Sequence, residues 1–139
     1  MRYADDLLEP GAVRAGKSAM DVRAWTASLF QAIDARDCDG FMRFVTDDAR
    51  FQFANLPPAV GAPAVREAVA GFFASVASIE HVLRATWSVP GHVVCRGSVS
   101  YTRHDARVVT LDFCNVLALD ADRVADYRIY IDAAPLFAS

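Results

Sequence analysis

Arg107-Val108-Val109-Thr110-Leu111-Asp112-Phe113-Cys114-Asn115-Val116-Leu117-Ala118-Leu119 reads as one long β-strand. It is rich in β-branched and aromatic residues and contains neither Gly nor Pro. Because successive side chains of a strand point to opposite faces, Val109, Leu111, Phe113, Asn115, Leu117 and Leu119 share one face. That face is apolar apart from Asn115. A buried amide needs hydrogen-bond partners, so Asn115 is either locked to its neighbours or lines a cavity. The stretch is expected to be central in a curved sheet whose hollow side is the working surface.

Working outward, strands are predicted at about residues 79–89, 92–103 and 123–132, joined through Pro90-Gly91, His104-Asp105-Ala106 and Asp120-Ala121-Asp122. Earlier in the chain, residues 50–54 read as a short strand, followed by the loop Asn55-Leu56-Pro57-Pro58-Ala59-Val60-Gly61. Ser18 is placed as the N-cap of a first helix, with Asp21 three residues on, and Val22, Trp25, Leu29 and Ile33 recur at helical spacing to about Arg36. Asp37-Cys38-Asp39-Gly40 reads as a break. Phe41, Phe44 and Val45 mark a short second helix, ended by Thr46-Asp47-Asp48. Pro63 opens a third helix with the stripe Val65, Val69, Phe72, Phe73 and Val76. Residues 1–17 show no period and read as a flexible arm, leaving one domain over 18–139. The arrangement is α+β: helices covering one side of a curled antiparallel sheet.

With 139 residues, 54% hydrophobic and 22% charged, the chain has the composition of a folded domain with a large core. A net charge of −3 and dispersed arginines argue against a nucleic-acid partner. No apolar run approaches the roughly 20 residues that cross a bilayer, and the acidic start does not read as a secretory signal, so a cytoplasmic location without membrane contact is expected. Cys38, Cys95 and Cys114 contain no C-x-x-C pair and read as ordinary thiols of a reducing compartment. No spacing suggests a metal set, and no Gly-rich phosphate loop occurs.

Four stretches resemble the SnoaL-like branch of the nuclear-transport-factor-2-like superfamily. They are Ala-Ile-Asp-Ala-Arg-Asp-Cys-Asp-Gly-Phe (32–41), Thr-Asp-Asp-Ala-Arg-Phe (46–51), Leu-Pro-Pro-Ala-Val-Gly (56–61) and Asp-Tyr-Arg-Ile-Tyr-Ile-Asp (126–132). The resemblance implies a cone of curved sheet wrapped on N-terminal helices, also called cystatin-like, with a single deep pocket. It covers roughly Met20 to Leu136. Members include polyketide cyclases, ketosteroid isomerases, epoxide hydrolases, dehydratases and non-catalytic binders, so the fold locates a site better than it names a reaction. The Leu-Pro-Pro loop is similar to that of limonene-1,2-epoxide hydrolases. Local matching to those enzymes, however, puts Phe51, Phe53, Gly97, Val99 and Ile129 where water-activating groups would stand. The ketosteroid isomerase pattern fails similarly, with Leu29 and Phe53 at its acid and base.

The remaining candidates come from strand alternation. His81, on one face with Leu83, Ala85 and Trp87, is the candidate general base, since imidazole titrates near neutrality. The alternative is a structural histidine tied to a carbonyl or to Glu80. Tyr101, Tyr127 and Asn115 could orient a ligand carbonyl or serve only packing. Phe51, Phe53, Val99, Leu111, Phe113 and Ile129 are expected to line the pocket, with Trp25 and Leu29 covering it from the first helix. Asp112, Asp126 and Asp132 fall on the opposite parity, and His92 and His104 sit at turns. Three readings follow: a cofactor-free cyclase or isomerase acting on a hydrophobic ketone-like substrate, a non-catalytic binder of a hydrophobic metabolite, or a dimeric scaffold with a filled cavity. The apolar outer face of the 107–119 strand predicts a homodimer.

Overall fold

A computed structural model describes residues 1–4 and 21–138. Its strands are β1 (Arg2–Tyr3), β2 (Val45–Phe53), β3 (Ala59–Val60), β4 (Ser78–Val89), β5 (His92–Thr102), β6 (Val108–Asp120) and β7 (Arg123–Ile131). The helices are α1 (Val22–Asp34), α2 (Cys38–Met42), α3 (Ala62–Ser75) and α4 (Ala134–Phe137). All seven strands form one curved open sheet in the order β1-β4-β5-β6-β7-β2-β3. β6 is the middle strand, as its composition requires. The β4–β7 meander is antiparallel, whereas β1 joins β4, and β2 joins β7, in parallel.

Several local readings change. The N-cap of α1 is Asp21, whose carboxylate accepts from the Ala24 amide at 3.1 Å; Ser18 lies outside the described residues. Asp37 is not a breaker but the N-cap of α2, its Oδ1 accepting from Gly40 N at 2.9 Å. A carboxylate there satisfies an orphan helix amide, so Asp37, two residues past the Ala35 C-cap of α1, opens the next helix. Thr46-Asp47-Asp48 does not end a helix; it belongs to β2, which spans nine residues and has a register shift between Val45 and Arg50. Within the proline loop, Ala59 and Val60 pair with Phe51 and Arg50. At the start of the chain, Arg2 and Tyr3 pair with Val82 and Leu83; of the arm expected over 1–17, residues 5–17 lie outside the described residues.

A bulge decides which β4 side chains face inward. Leu83 pairs with Gly97 and Ala85 with Arg96, so Arg84 is the extra residue. Beyond it the alternation inverts: Thr86, opposite Cys95, is fully buried, while Trp87, opposite Val94, leaves the face that His81 occupies. Gly97 sits against this bulge, and a Cβ there would run into the Val82 carbonyl. Across the hollow face, Leu29, Phe30, Phe41, Leu83, Val93, Val99, Leu117 and Tyr127 are essentially inaccessible to solvent and form the core with α1, α2 and α3.

Candidate functional site

The hollow face and the helices enclose a cavity of about 130 Å³. β2 contributes Phe51 and Phe53, and β7 contributes Tyr127, Ile129 and Ile131. From β5 come Val99 and Tyr101, and from β6 Phe113 and Asn115. β4 adds Ile79 and His81. Phe30 and Ile33 of α1, Phe41 of α2, and Ala68, Val69, Phe72 and Phe73 of α3 close the helical side. Leu56, Pro57 and Ala59 stand at the mouth, where Leu56 is 52% exposed.

Of the residues expected in the pocket, His81, Phe51, Phe53, Val99, Tyr101, Phe113, Asn115, Tyr127 and Ile129 are brought together there. Trp25, Leu29 and Leu111 are not. The buried side of α1 runs through Val22, Thr26, Leu29 and Phe30, so Trp25 is turned aside. It packs edge-on against Phe44 at 5.8 Å and donates from Nε1 to the Asp122 carbonyl. Leu29 is core behind the lining, and Phe30 and Ile33 take the covering role.

The polar feature that sequence reasoning missed is Asp34. Its Oδ1 lies 2.6 Å from His81 Nδ1, and its Oδ2 accepts from the His81 backbone amide at 2.9 Å. The Met1 amino group lies 2.8 Å from Oδ2. A signal existed: Asp34 is the last residue of α1, where a negative charge opposes the helix dipole. An acid in that place needs partners from elsewhere in the fold. They come from 47 residues away, beyond any local pattern.

These contacts determine protonation. Burial pushes the Asp34 carboxyl up, but its hydrogen bonds to His81 and to the amino terminus outweigh burial and hold it below the ordinary carboxylate range. Burial pushes His81 below the ordinary imidazole value, and Asp34 only partly offsets this. At neutral pH the pair is therefore carboxylate and neutral imidazole. An ionised carboxylate can only accept, so the imidazole proton sits on Nδ1 and Nε2 carries the lone pair. Edge contacts with Phe30 (centroids 4.6 Å apart) and Phe113 (5.2 Å) hold the ring in place. Nε2 has no protein partner among the described residues and is the ring nitrogen available to the cavity.

Asn115 is 2% exposed, its Oδ1 has no hydrogen-bond partner, and its side chain forms no hydrogen bond among the described residues. It is thus a cavity-lining amide and not a strand-bridging one. Burial raises Tyr101, with the nearby Asp34 carboxylate adding to the effect, and burial raises Tyr127 well above the ordinary phenol value, so both phenols remain donors. Cys38, Cys95 and Cys114 are free thiols. Burial raises Cys95 strongly, leaving it inert as a nucleophile. Among the described residues, no three His, Cys, Asp or Glu side chains gather as a metal site, and no helix is long and apolar enough to cross a membrane.

The sequence matches the SnoaL-like domain family over residues 26–127. No curated protein matches it significantly. Among solved structures, an NTF2-like protein of unknown function from Burkholderia pseudomallei superimposes with a TM-score of 0.74 at 16% identity, covering 82% of this chain and 92% of that one. An LEH-like epoxide hydrolase from M. tuberculosis gives 0.70 at 16% identity, covering 84% and 85%. A putative SnoaL-like polyketide cyclase from Jannaschia sp. gives 0.68 at 14% identity, covering 87% and 94%. At such identities the likeness is one of fold.

Proposed function

The chain belongs to the SnoaL-like domain family, and from that premise we propose that it is a proton-transfer enzyme, an isomerase or cyclase of small ketone-like molecules. The observation that carries this reading is the Asp34–His81 pair, 2.6 Å apart in the wall of an otherwise apolar cavity. His81 Nε2 removes a proton from the carbon next to a carbonyl, and the electron pair of that C–H bond moves onto the carbonyl oxygen as an enolate. Asp34 holds the imidazole in the required tautomer and stabilises the imidazolium that forms. Asn115 Nδ2, Tyr101 or Tyr127 donates to the enolate oxygen. Returning the proton to a different carbon completes an isomerisation; attack of the enolate carbon on a second carbonyl, whose oxygen then takes the proton from the His81 imidazolium, completes a ring closure. The base, its orienting carboxylate and the hydrogen-bond donors all come from this chain, and no cofactor is invoked.

Epoxide opening is the less fitting chemistry. A water on the β2–β7 side would meet Phe51, Phe53 and Ile129, which neither activate nor position it.

The test is α-deuteration of small ketones in D₂O followed by NMR. Wild type is expected to accelerate exchange, and His81→Gln to abolish the acceleration while still binding the ketone. Binding without exchange in the wild type would replace this reading with that of a carrier of hydrophobic metabolites.

A further inference from the structure

Resting on that reading, we propose that the substrate is an uncharged, single-ring hydroxyketone whose hydroxyl donates to Asn115 Oδ1. Size comes first. The cavity of about 130 Å³ lies below the range of ordinary ligand pockets, roughly 300–1,000 Å³. It is close to the cavity of about 150 Å³ that holds one benzene in an engineered protein core. One six-membered ring with its substituents fits; a multi-ring polyketide does not, unless most of it stays outside the mouth at Leu56 and Pro57.

Charge comes second. Among the described residues no Lys or Arg lines the cavity, and the Asp34 carboxylate behind His81 is itself paired with the Met1 amino group. A carboxylate or phosphate would lose its hydration and find no cationic side chain in the described lining, so the occupant is neutral.

Hydrogen bonding comes third. An unpartnered acceptor as deeply buried as Asn115 Oδ1 is costly unless a ligand supplies a donor. A lone ketone has no donor to give. A hydroxyl beside the carbonyl supplies one, and the carbonyl oxygen can then accept from Nδ2 of the same amide. Pairing with both ends of one amide also orients the ring, which places the C–H bonds flanking the carbonyl relative to His81. The flat faces of Phe30, Phe113, Phe51 and Tyr127 favour a compact ring over a flexible chain, which would lose more conformational entropy on entering.

The experiment measures binding by calorimetry with three probes: 2-hydroxycyclohexanone, 2-methoxycyclohexanone and the three-ring ketone anthrone. Wild type is expected to bind the hydroxyketone at least about tenfold more tightly than the methoxy compound, the size of one hydrogen bond to a buried acceptor. Anthrone should bind more weakly than either. Asn115→Leu, which keeps the branched shape and the number of side-chain heavy atoms and removes the amide, should erase the hydroxy–methoxy difference. If that variant fails to fold, the wild-type comparison decides alone. Equal affinity for hydroxy and methoxy compounds, tighter binding of anthrone, or no binding of the hydroxyketone would each overturn the assignment. Tight binding of the hydroxyketone without α-deuteration would sustain the ligand class and sink the proton-transfer reading. Exchange that ignores ring number and hydroxyl would do the reverse.

Discussion

On the β4 side of the cavity, Asp34 and His81 set an ionised carboxylate against a neutral imidazole. On the β2–β7 side, Phe51, Phe53, Ile129 and Ile131 present hydrocarbon, relieved by the Tyr127 phenol. The two walls have similar burial but opposite electrostatic character. A base gains strength where water is excluded and a fixed carboxylate can stabilise the cation it becomes. The facing wall contributes shape and desolvation and offers a water no base, only the Tyr127 phenol. The chemistry of the site is therefore one-sided: reaction at the β4 wall, selection by the other.

Removing the base is the largest test of that asymmetry. His81→Gln is expected to lower turnover about 10³-fold, within the range of general-base catalysis, with ligand affinity nearly unchanged. Asp34→Asn should also lower kcat, and it has a second signature. In the wild type, the acid limb of kcat/KM falls below the ordinary imidazole value of 6.5, because burial lowers His81. Asp34 raises the His81 value, so its loss should move the limb to still lower pH. A merely structural Asp34 would leave the limb where it is.

Selection by the cavity is tested by filling it. Val99 is 1% exposed, lines the cavity and pairs with His81 across β4 and β5. Val99→Trp is expected to weaken binding of an aromatic ketone by more than about 100-fold, since the indole occupies the space a ligand needs. Circular dichroism should show the fold retained. Unchanged affinity in a folded variant would place the binding site elsewhere.

How much of this contrast was legible in the sequence follows from its physical origin. Strand alternation is local, so the sheet side of the cavity lining could be read residue by residue: Phe113 and Asn115 on β6, Tyr127 and Ile129 on β7, and Val99 on β5 all line the cavity. Alternation misled at Trp87 because one extra residue, Arg84, inverts it with no Gly or Pro in β4 itself; the mark of the bulge is Gly97 on the partner strand. Helical spacing misled at Trp25 because α1 buries the Thr26–Phe30 side, and a threonine whose hydroxyl donates to the Val22 carbonyl is compatible with full burial. The Asp34–His81 pair could not be read from either element. It depends on where the end of α1 meets the edge of β4, which is a tertiary fact.

Acid should damage the reactive wall first. Both groups have folded-state values below their ordinary ones, so the unfolded chain binds protons more readily than the native one. The stability this confers is complete above about pH 6.5. It falls as pH drops toward the lowered His81 value, and again below the ordinary carboxylate value of 3.8 toward that of Asp34. Urea midpoints measured from pH 7.5 to 4.5 are expected to decline in the wild type and to decline less in His81→Gln. Equal slopes would mean that His81 is not buried in neutral form.

The smallest expected effect concerns the outer face of the sheet, which extends the contrast between polar and apolar surfaces beyond the cavity. There, Val116 and Ala118 lie beside Arg50, Gln52, Asp126, Arg128 and His92 in a shallow groove. Asp126 Oδ1 is 3.5 Å from Arg50 Nη1 and makes no hydrogen bond, while Arg128 Nη1 is buried without a partner. Asp126, paired with Arg50, and Arg128, whose guanidinium lies 4.6 Å from the centre of the Tyr130 ring, put opposite charges two residues apart on β7. In a second copy related by two-fold symmetry the acidic and basic positions of this face lie opposite each other's counterparts. The apolar strip of Cys114, Val116 and Ala118 would be covered in the same contact. The chain is accordingly expected to be a homodimer through this face. Arg128→Glu sets carboxylates against carboxylates across the axis and should weaken association by about tenfold or more, without altering ligand binding in the cavity on the other side of the sheet. Sedimentation velocity across a concentration series reads this directly. A wild type that stays monomeric at micromolar concentration, or an Arg128→Glu variant that dimerises as tightly as wild type, would exclude this interface.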